Sequence, residues 1–297
     1  MNKKSILITG ASGFIGRNLC EYFFKNKMEV IALFNKKITH RFYTQAYKRS
    51  LGEPIKDILK KHQIDLIIHA AYTPKSYEKN TTGTIIWATE GKEFNVSTQL
   101  LLSTITASDN TLSCYGKLKR QLELWFLKNN LSVIRLALVV GDGGFYKRLE
   151  NLVRKFPIIP VPSKTYLHLT HIDELKLFIE KKLINNSNNS HTTKISTMVY
   201  PFKITFFYFF KELANILNLK RLIIPFPSFL FRKISSFLAS KRKRCKKVTF
   251  IDNLIGIFEN SKKDFKNTDN TIFFPLKDEI REEKFLSYLL KKTCSKN

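Results

Sequence analysis

Long apolar runs are missing from this chain of 297 residues. No uncharged apolar stretch reaches the roughly 18 residues that a membrane-spanning helix needs. Cysteine is sparse: Cys20, Cys114, Cys245 and Cys294 are scattered without metal-ligand spacing. They suggest neither zinc nor a disulfide framework and fit a reducing cytoplasm. No metal is expected. No secretory leader is expected either, because MNKKSILITG is already the first strand. Internal repeats are absent. Acidic residues are few, 24 against 51 Lys and Arg, which leaves a formal charge of +27. No helix-turn-helix, zinc-finger or RNP pattern accompanies that charge, so no nucleic-acid partner is expected. An anionic membrane surface, an anionic nucleotide substrate, or plain base composition (Lys, Asn, Ile and Phe are all frequent) each accounts for it.

What is present begins with ILITGASGFIG, Ile6 to Gly16. The apolar run Ile6-Leu7-Ile8 reads as a buried parallel strand. It breaks into Gly10, Gly13 and Gly16, and Ile15, Leu19 and Tyr22-Phe23 then recur at helical spacing. Strand, tight glycine turn and helix N-terminus together hold a dinucleotide pyrophosphate. Gly10 permits the turn, Gly13 lets backbone N–H groups approach phosphate, and Gly16 lets helix and strand pack closely.

Strands and helices then alternate. Strands are expected at Met28–Phe34, Asp65–Ala71, within Val96–Thr106, and at Leu131–Gly141. Helices are expected over IKDILKKHQ, Thr84–Glu93 and Tyr115–Asn130. This alternation predicts an α/β fold, a Rossmann-like doubly wound parallel sheet, with ligands at the carboxyl ends of the strands. Residues 1–150 form the dinucleotide-binding part. Residues 151–297 form a smaller, mostly helical, mainly substrate-binding lobe, with one or two segments returning to the sheet.

Tyr115 and Lys119 lie four apart on one expected helix and so share a face. A free phenol, with a pKa of about 10, is a poor base. A neighbouring ammonium favours the phenolate and lowers that pKa. Such a pair can exchange a proton with a sugar hydroxyl or carbonyl while hydride moves to or from nicotinamide. The preceding strand ends in Ser103 and Thr104, whose hydroxyls can bind the same oxygen.

With those motifs in order, the chain resembles the extended short-chain dehydrogenase/reductases, specifically the NAD-dependent epimerase/dehydratase group acting on nucleotide sugars. TGASGFIG, DLIIHAAYT, Asn80-Thr-Thr-Gly-Thr, LLLSTITA, the Tyr115/Lys119 pair, RLALVVGDGG and LTHIDEL match that family's motifs in sequence. The resemblance implies catalysis by Thr104, Tyr115 and Lys119. It implies a cofactor held by Gly10, Ser12, Gly13, Phe14, Ile15 and Gly16, by Asn35 and Lys36, by Ala70 and Ala71, and by Tyr115 and Lys119. His69 reads as a cofactor-adjacent or core residue, His171 and Asp173 as links between the lobes, and Asn80 as a backbone fastener. The usual assembly of the family implies a homodimer through the helices at Thr84–Glu93 and Tyr115–Lys128.

The departures are informative. The second expected strand ends Phe34-Asn35-Lys36-Lys37, where an NAD enzyme would carry an acid. Basic residues there suit a 2′-phosphate, so the cofactor reads as NADP or NAD, with NADP favoured. Ser50-Leu51 stands where the family places Asp-Leu beside adenine. The Thr104–Tyr115 loop is short. Ile105-Thr106 replaces the acidic pair that the dehydratase branch carries after its catalytic Thr, which disfavours 4,6-dehydration. Epimerisation at one sugar carbon or reduction of a keto-sugar remains, serving surface polysaccharide synthesis in the cytoplasm. The other reading is a non-catalytic NADP-binding sensor or scaffold of the same fold. Finally, 232–247 holds eight basic residues and no acid, preceded by Phe229 and Leu230. It reads as a basic amphipathic helix touching anionic membrane, or as a solvated charge run.

Overall fold

The computed structural model describes residues 4–96, 98–181, 195–230, 233, 237, 250–261, 263, 265, 271–273 and 282–294. The basic stretch 232–247 therefore lies, apart from Lys233 and Phe237, outside the described residues.

The chain opens β1 (Ser5–Thr9), α1 (Phe14–Lys25), β2 (Glu29–Phe34), β3 (Gln45–Lys48), α2 (Lys56–Lys61) and β4 (Leu66–His69). Next come α3 (Tyr77–Glu93), β5 (Thr98–Thr104), α4 (Cys114–Lys128), β6 (Ser132–Leu136), β7 (Leu138–Val140) and α5 (Gly144–Lys155). The second half holds β8 (Ile158–Pro162), β9 (Tyr166–Leu167), β10 (Leu169–His171), α6 (Ile172–Ile179), β11 (Ile195–Val199), β12 (Ile204–Thr205), α7 (Phe206–Ile216) and β13 (Leu222–Phe226). It closes with α8 (Phe250–Asn260), β14 (Thr271–Phe273) and α9 (Glu282–Cys294).

One sheet of eight strands has the order β14-β11-β6-β5-β4-β1-β2-β3. Every pairing in it is parallel. A parallel sheet is covered by helices on both faces, so its inner strands are apolar throughout rather than alternating. In β1 all of SILIT is buried. Ile6 and Ile8 face a core with Phe23, Tyr146 and Phe209, while Leu7 faces the opposite core under Trp87. Each such fully buried aliphatic side chain contributes about 1.5–3 kcal/mol. Strand order reverses between β1 and β4, and ligands bind at such a switch point. Two strands from the second half, β11 and β14, extend the sheet beyond β6.

Three local readings need correction. The third helix begins at Tyr77, not Thr84, because the Ser76 hydroxyl accepts a hydrogen bond from Lys79 N and starts it early. The expected strand Leu131–Gly141 is two. β6 stays in the main sheet, whereas β7 pairs with β10 after a break at Ala137, whose N–H donates to Thr170 Oγ1. The short edge strand β3, half-exposed and only four residues long, escapes the sequence pattern.

Candidate functional site

The glycine turn is dictated by backbone crowding. Gly10 has φ +71°, and a Cβ there would lie 2.7 Å from Ala71 Cα. A Cβ on Gly16 would collide with the Gly10 carbonyl oxygen. Gly13 N–H donates to that carbonyl at 2.8 Å and precedes α1 without a side-chain cap. No acidic residue stands in the first turn of α1. An uncapped helix end of this kind leaves N–H donors and positive dipole for an anion. Ser12 is exposed there, and Phe14 and Ile15 are half-buried. Across the switch point Thr9 Oγ1 accepts from Ala70 N and Ala71 N, each at 3.0 Å, which ties the ends of β1 and β4 together. These residues fit a dinucleotide diphosphate.

A second glycine loop folds over the first. Gly141, Gly143 and Gly144 all back onto the Phe14 ring, and a Cβ on Gly141 would sit 2.6 Å from it. Arg17 reaches the same loop, donating to Asp142 O at 3.4 Å. Beyond β2, Asn35 and Lys36 are exposed together with Lys37. Asn35 Oδ1 accepts from Ser50 Oγ, and His40 bonds Ala11 O at 3.0 Å. No acidic residue occurs between Glu29 and Glu53.

On the other side of the switch point, β5 delivers Thr104 and α4 delivers Tyr115 and Lys119. Ser113 caps α4 by accepting from Gly116 N. Gly116 has no room for a Cβ, which would meet Thr106 O at 2.7 Å, so the strand end and the helix start lie in contact. Lys119 is buried, donates to Leu102 O at 2.6 Å, and holds its Nζ 5.9 Å from the Tyr115 ring centre. Burial pulls its ammonium down to about 8, against a smaller upward pull from Glu123. Burial pushes the Tyr115 phenol up to about 12. The expected lowering of the phenol by Lys119 is therefore not met: the ammonium is engaged by a carbonyl, and desolvation dominates at Tyr115.

Several groups here were not singled out in the sequence. Tyr72 sits edge-on to Tyr115 with ring centres 5.3 Å apart. Its phenol is held well above the usual range by burial first, then by the charges of Tyr115 and Asp252. Helix α8 clasps the short loop between Thr104 and Tyr115. Glu259 accepts from Thr111 Oγ1 and Leu112 N, both at 2.5 Å, and Ser113 Oγ donates to Asp252 O. Asn260 Nδ2 donates to Thr106 Oγ1, which in turn lies 3.4 Å from Thr104 Oγ1. No spacing rule marks residues that meet across such a separation. Cys114, next to Tyr115, is disulfide-bonded, whereas Cys20 is a buried free thiol. A single disulfide is not a framework, and the spacing of the cysteines gave no sign of it.

The remaining expected residues have structural partners. His69 bonds Gln99 Oε1, packs edge-on to Phe126 and is driven down to about 4 by burial, so it is a neutral core residue. Asn80 accepts from Thr73 N and donates to Thr73 O and Ser76 O, which fixes the turn before α3. His171 caps α6, and Asp173 pairs with Lys176 and with Lys292 of α9. Among the described residues no His, Cys, Asp and Glu group could hold a metal, and no helix is long and apolar enough to cross a membrane.

The comparisons agree with this fold. Residues 6–101 match the NAD dependent epimerase/dehydratase family. No curated relative matches the sequence. Among solved structures, the UDP-glucose 4-epimerase of Thermotoga maritima with UDP-glucose superposes with a TM-score of 0.63 at 17% identity, covering 75% of this chain and 85% of that one. WbmG of Bordetella bronchiseptica with NAD gives 0.64 at 14% identity, over 87% and 94%. A hypothetical dTDP-4-dehydrorhamnose reductase of Sulfolobus tokodaii gives 0.62 at 21% identity, over 75% and 85%. Residues 6–101 thus match the NAD dependent epimerase/dehydratase family model, and the chain shares the Rossmann-like α/β fold of these solved structures.

Proposed function

We propose that this chain is an NAD(P)-dependent nucleotide-sugar epimerase or keto-sugar reductase. The observation that supports the reading is the buried Lys119, bonded to Leu102 O in β5 with its Nζ 5.9 Å from the Tyr115 ring centre. The nicotinamide cofactor supplies or accepts the hydride when bound. Gly10, Ser12, Gly13, Phe14, Ile15 and Gly16 would hold its diphosphate, and Ala70 and Ala71 would line the cofactor. Thr104 orients the sugar oxygen. Tyr115 moves the proton at that oxygen: at about 12 its phenol stays protonated at neutral pH, the form that a carbonyl oxygen needs beside it as it is reduced. Lys119 places a positive charge under the phenol and toward the nicotinamide ribose. Dehydration is not part of the reading, because Ile105 is buried and the Thr106 hydroxyl is bound by Asn260.

The exposed Asn35, Lys36 and Lys37, at the end of β2 where no acidic residue stands, support NADP over NAD. Residues 151–297 provide the substrate side. The outward Ile86 and Leu124 on α3 and α4 suit the expected homodimer. A place in surface polysaccharide synthesis, in the cytoplasm, completes the proposal.

Incubation with UDP-, GDP- and dTDP-sugars plus NADPH or NADH tests it. Tyr115→Phe is expected to abolish turnover while NADPH fluorescence still reports binding. Full activity in that variant would remove the catalytic assignment. Cofactor binding with no reaction of any sugar would transfer the chain to a non-catalytic sensor or scaffold.

A further inference from the structure

A small two-stranded ribbon outside the main sheet has apolar side chains on both faces. Strands β8 and β13 pair in parallel, with Ile158 opposite Leu222 and Pro160 opposite Ile224. Ile159 and Val161 point inward and are buried, and Ile223 packs on the main core. The outward positions should be polar in a ribbon that faces water on one side. Instead Ile158 is 53% exposed, Leu222 58% and Ile224 42%. Phe229 and Leu230, just beyond β13, are exposed as well. A contiguous apolar patch of this kind marks an interaction surface.

Charge and backbone chemistry say what it meets. No acidic residue occurs between Glu150 and Asp173 or between Glu212 and Asp252, so both strands lie in acid-free stretches. Exposed Arg154, Lys155, Lys164, Lys220 and Lys233 accompany the ribbon in those stretches. A groove of about 580 Å³ opens along β13, lined by Lys211, Asn215, Asn218, Lys220, Arg221 and Ile223. Arg221 is fixed there by donating to Val153 O at 2.6 Å and Arg154 O at 3.0 Å. Pro160, Pro162 and Pro225 lack N–H donors, which disfavours addition of a partner strand to the ribbon. Apolar side chains flanked along the chain by cations, with no acid in either stretch, are the chemistry of an anionic bilayer surface.

We propose that the outer face of β8 and β13 is a docking surface for anionic lipid bilayer. Ile158, Leu222 and Ile224 enter the acyl boundary, and the exposed Lys155, Lys164 and Lys220 at the ends of the two strands meet lipid phosphate. The inference is independent of the catalytic reading, and neither sugar nor cofactor enters its test.

The test is sedimentation of the full chain with phosphatidylcholine vesicles, with or without phosphatidylglycerol. Binding is expected only with phosphatidylglycerol, and part of it should persist at high salt. The triple variant Ile158→Ser, Leu222→Ser, Ile224→Ser changes exposed positions only. It should lower the vesicle partition coefficient roughly tenfold or more while leaving the melting temperature in place. Leu222→Trp provides a second readout: its added fluorescence should be quenched by brominated acyl chains. Absence of binding, equal binding by the triple variant, or an unquenched Trp would each overturn the proposal. Dimerisation without lipid that the triple variant abolishes would also overturn it, assigning the face to a second copy of the chain.

Discussion

The two corners that flank the switch point are built by different means. The glycine turn between β1 and α1 is held by contacts within a few residues of chain and by the neighbouring end of β4. Gly16 leans on Gly10, Gly13 donates to Gly10, and Gly10 lies against Ala71. The corner with Thr104, Tyr115 and Lys119 is held from far away. Glu259 and Asn260 reach it across about half the chain, and a buried ammonium is fixed under the phenol by one carbonyl. The first corner is rigid because nothing else fits. The second is positioned by polar groups that could be exchanged one at a time, so geometry and stability can be separated there.

Gly16→Ala is the most severe way to break that contrast. The added methyl would drive into the Gly10 carbonyl oxygen, a backbone atom that cannot rotate away. A loss of roughly 3 kcal/mol or more is expected by denaturant unfolding, with cofactor affinity abolished. A variant that unfolds and binds NADPH as the parent does would show that the turn is not crowded.

Lys119→Met tests whether the second corner gives up stability for chemistry. The ammonium titrates near 8 in the folded chain against 10.5 for a free lysine. Between those values the unfolded chain binds more protons, so this group's contribution rises with pH there and is most unfavourable below 8. The variant is expected to be more stable at neutral pH by about 1–2 kcal/mol, after loss of the bond to Leu102 O. That advantage should shrink as pH rises past 8 toward 10.5, while turnover is lost. A less stable variant at neutral pH would reverse the assignment.

Glu259→Gln sharpens the contrast at intermediate size. It removes the charge from a pair of hydrogen bonds and should cost roughly 1–2 kcal/mol in thermal unfolding. Turnover should fall, with NADPH affinity unchanged because the glycine turn is untouched. Equal loss of both would mean that the corners are not independent. The smallest effect concerns the cofactor's far end: Lys36→Glu should shift the NADPH to NADH affinity ratio toward NADH by about tenfold. An unchanged ratio would leave the residues after β2 without a role in selection.

The same contrast explains what could be read in advance. The parallel sheet, the glycine turn and the Tyr115/Lys119 face are short-range patterns: apolar runs, residues three apart, residues four apart. Asn80 acts within a few residues of itself, and its fastening role was readable too, whereas His171, read as a link between the lobes, caps its own helix. Tyr72 against Tyr115, Glu259 on Thr111 and the Cys114 disulfide depend on tertiary closure and have no period. The direction of the Tyr115 shift also escaped. A charge pair is visible in a sequence, whereas the desolvation that outweighs it is not. The ribbon of β8 and β13 is not legible, because its apolar outer face breaks the alternation that identifies a half-buried strand.

The order of strands in the sheet has a further consequence for how the molecule is made. The six strands β3-β2-β1-β4-β5-β6 are complete once residue 136 has been synthesised, and β11 and β14 are added later, each at the growing edge. No early strand must wait for a late one to be inserted beside it. A nascent chain can therefore assemble its first six strands on the ribosome and extend the sheet outward, which limits the time that an open, apolar strand edge spends waiting for its neighbour.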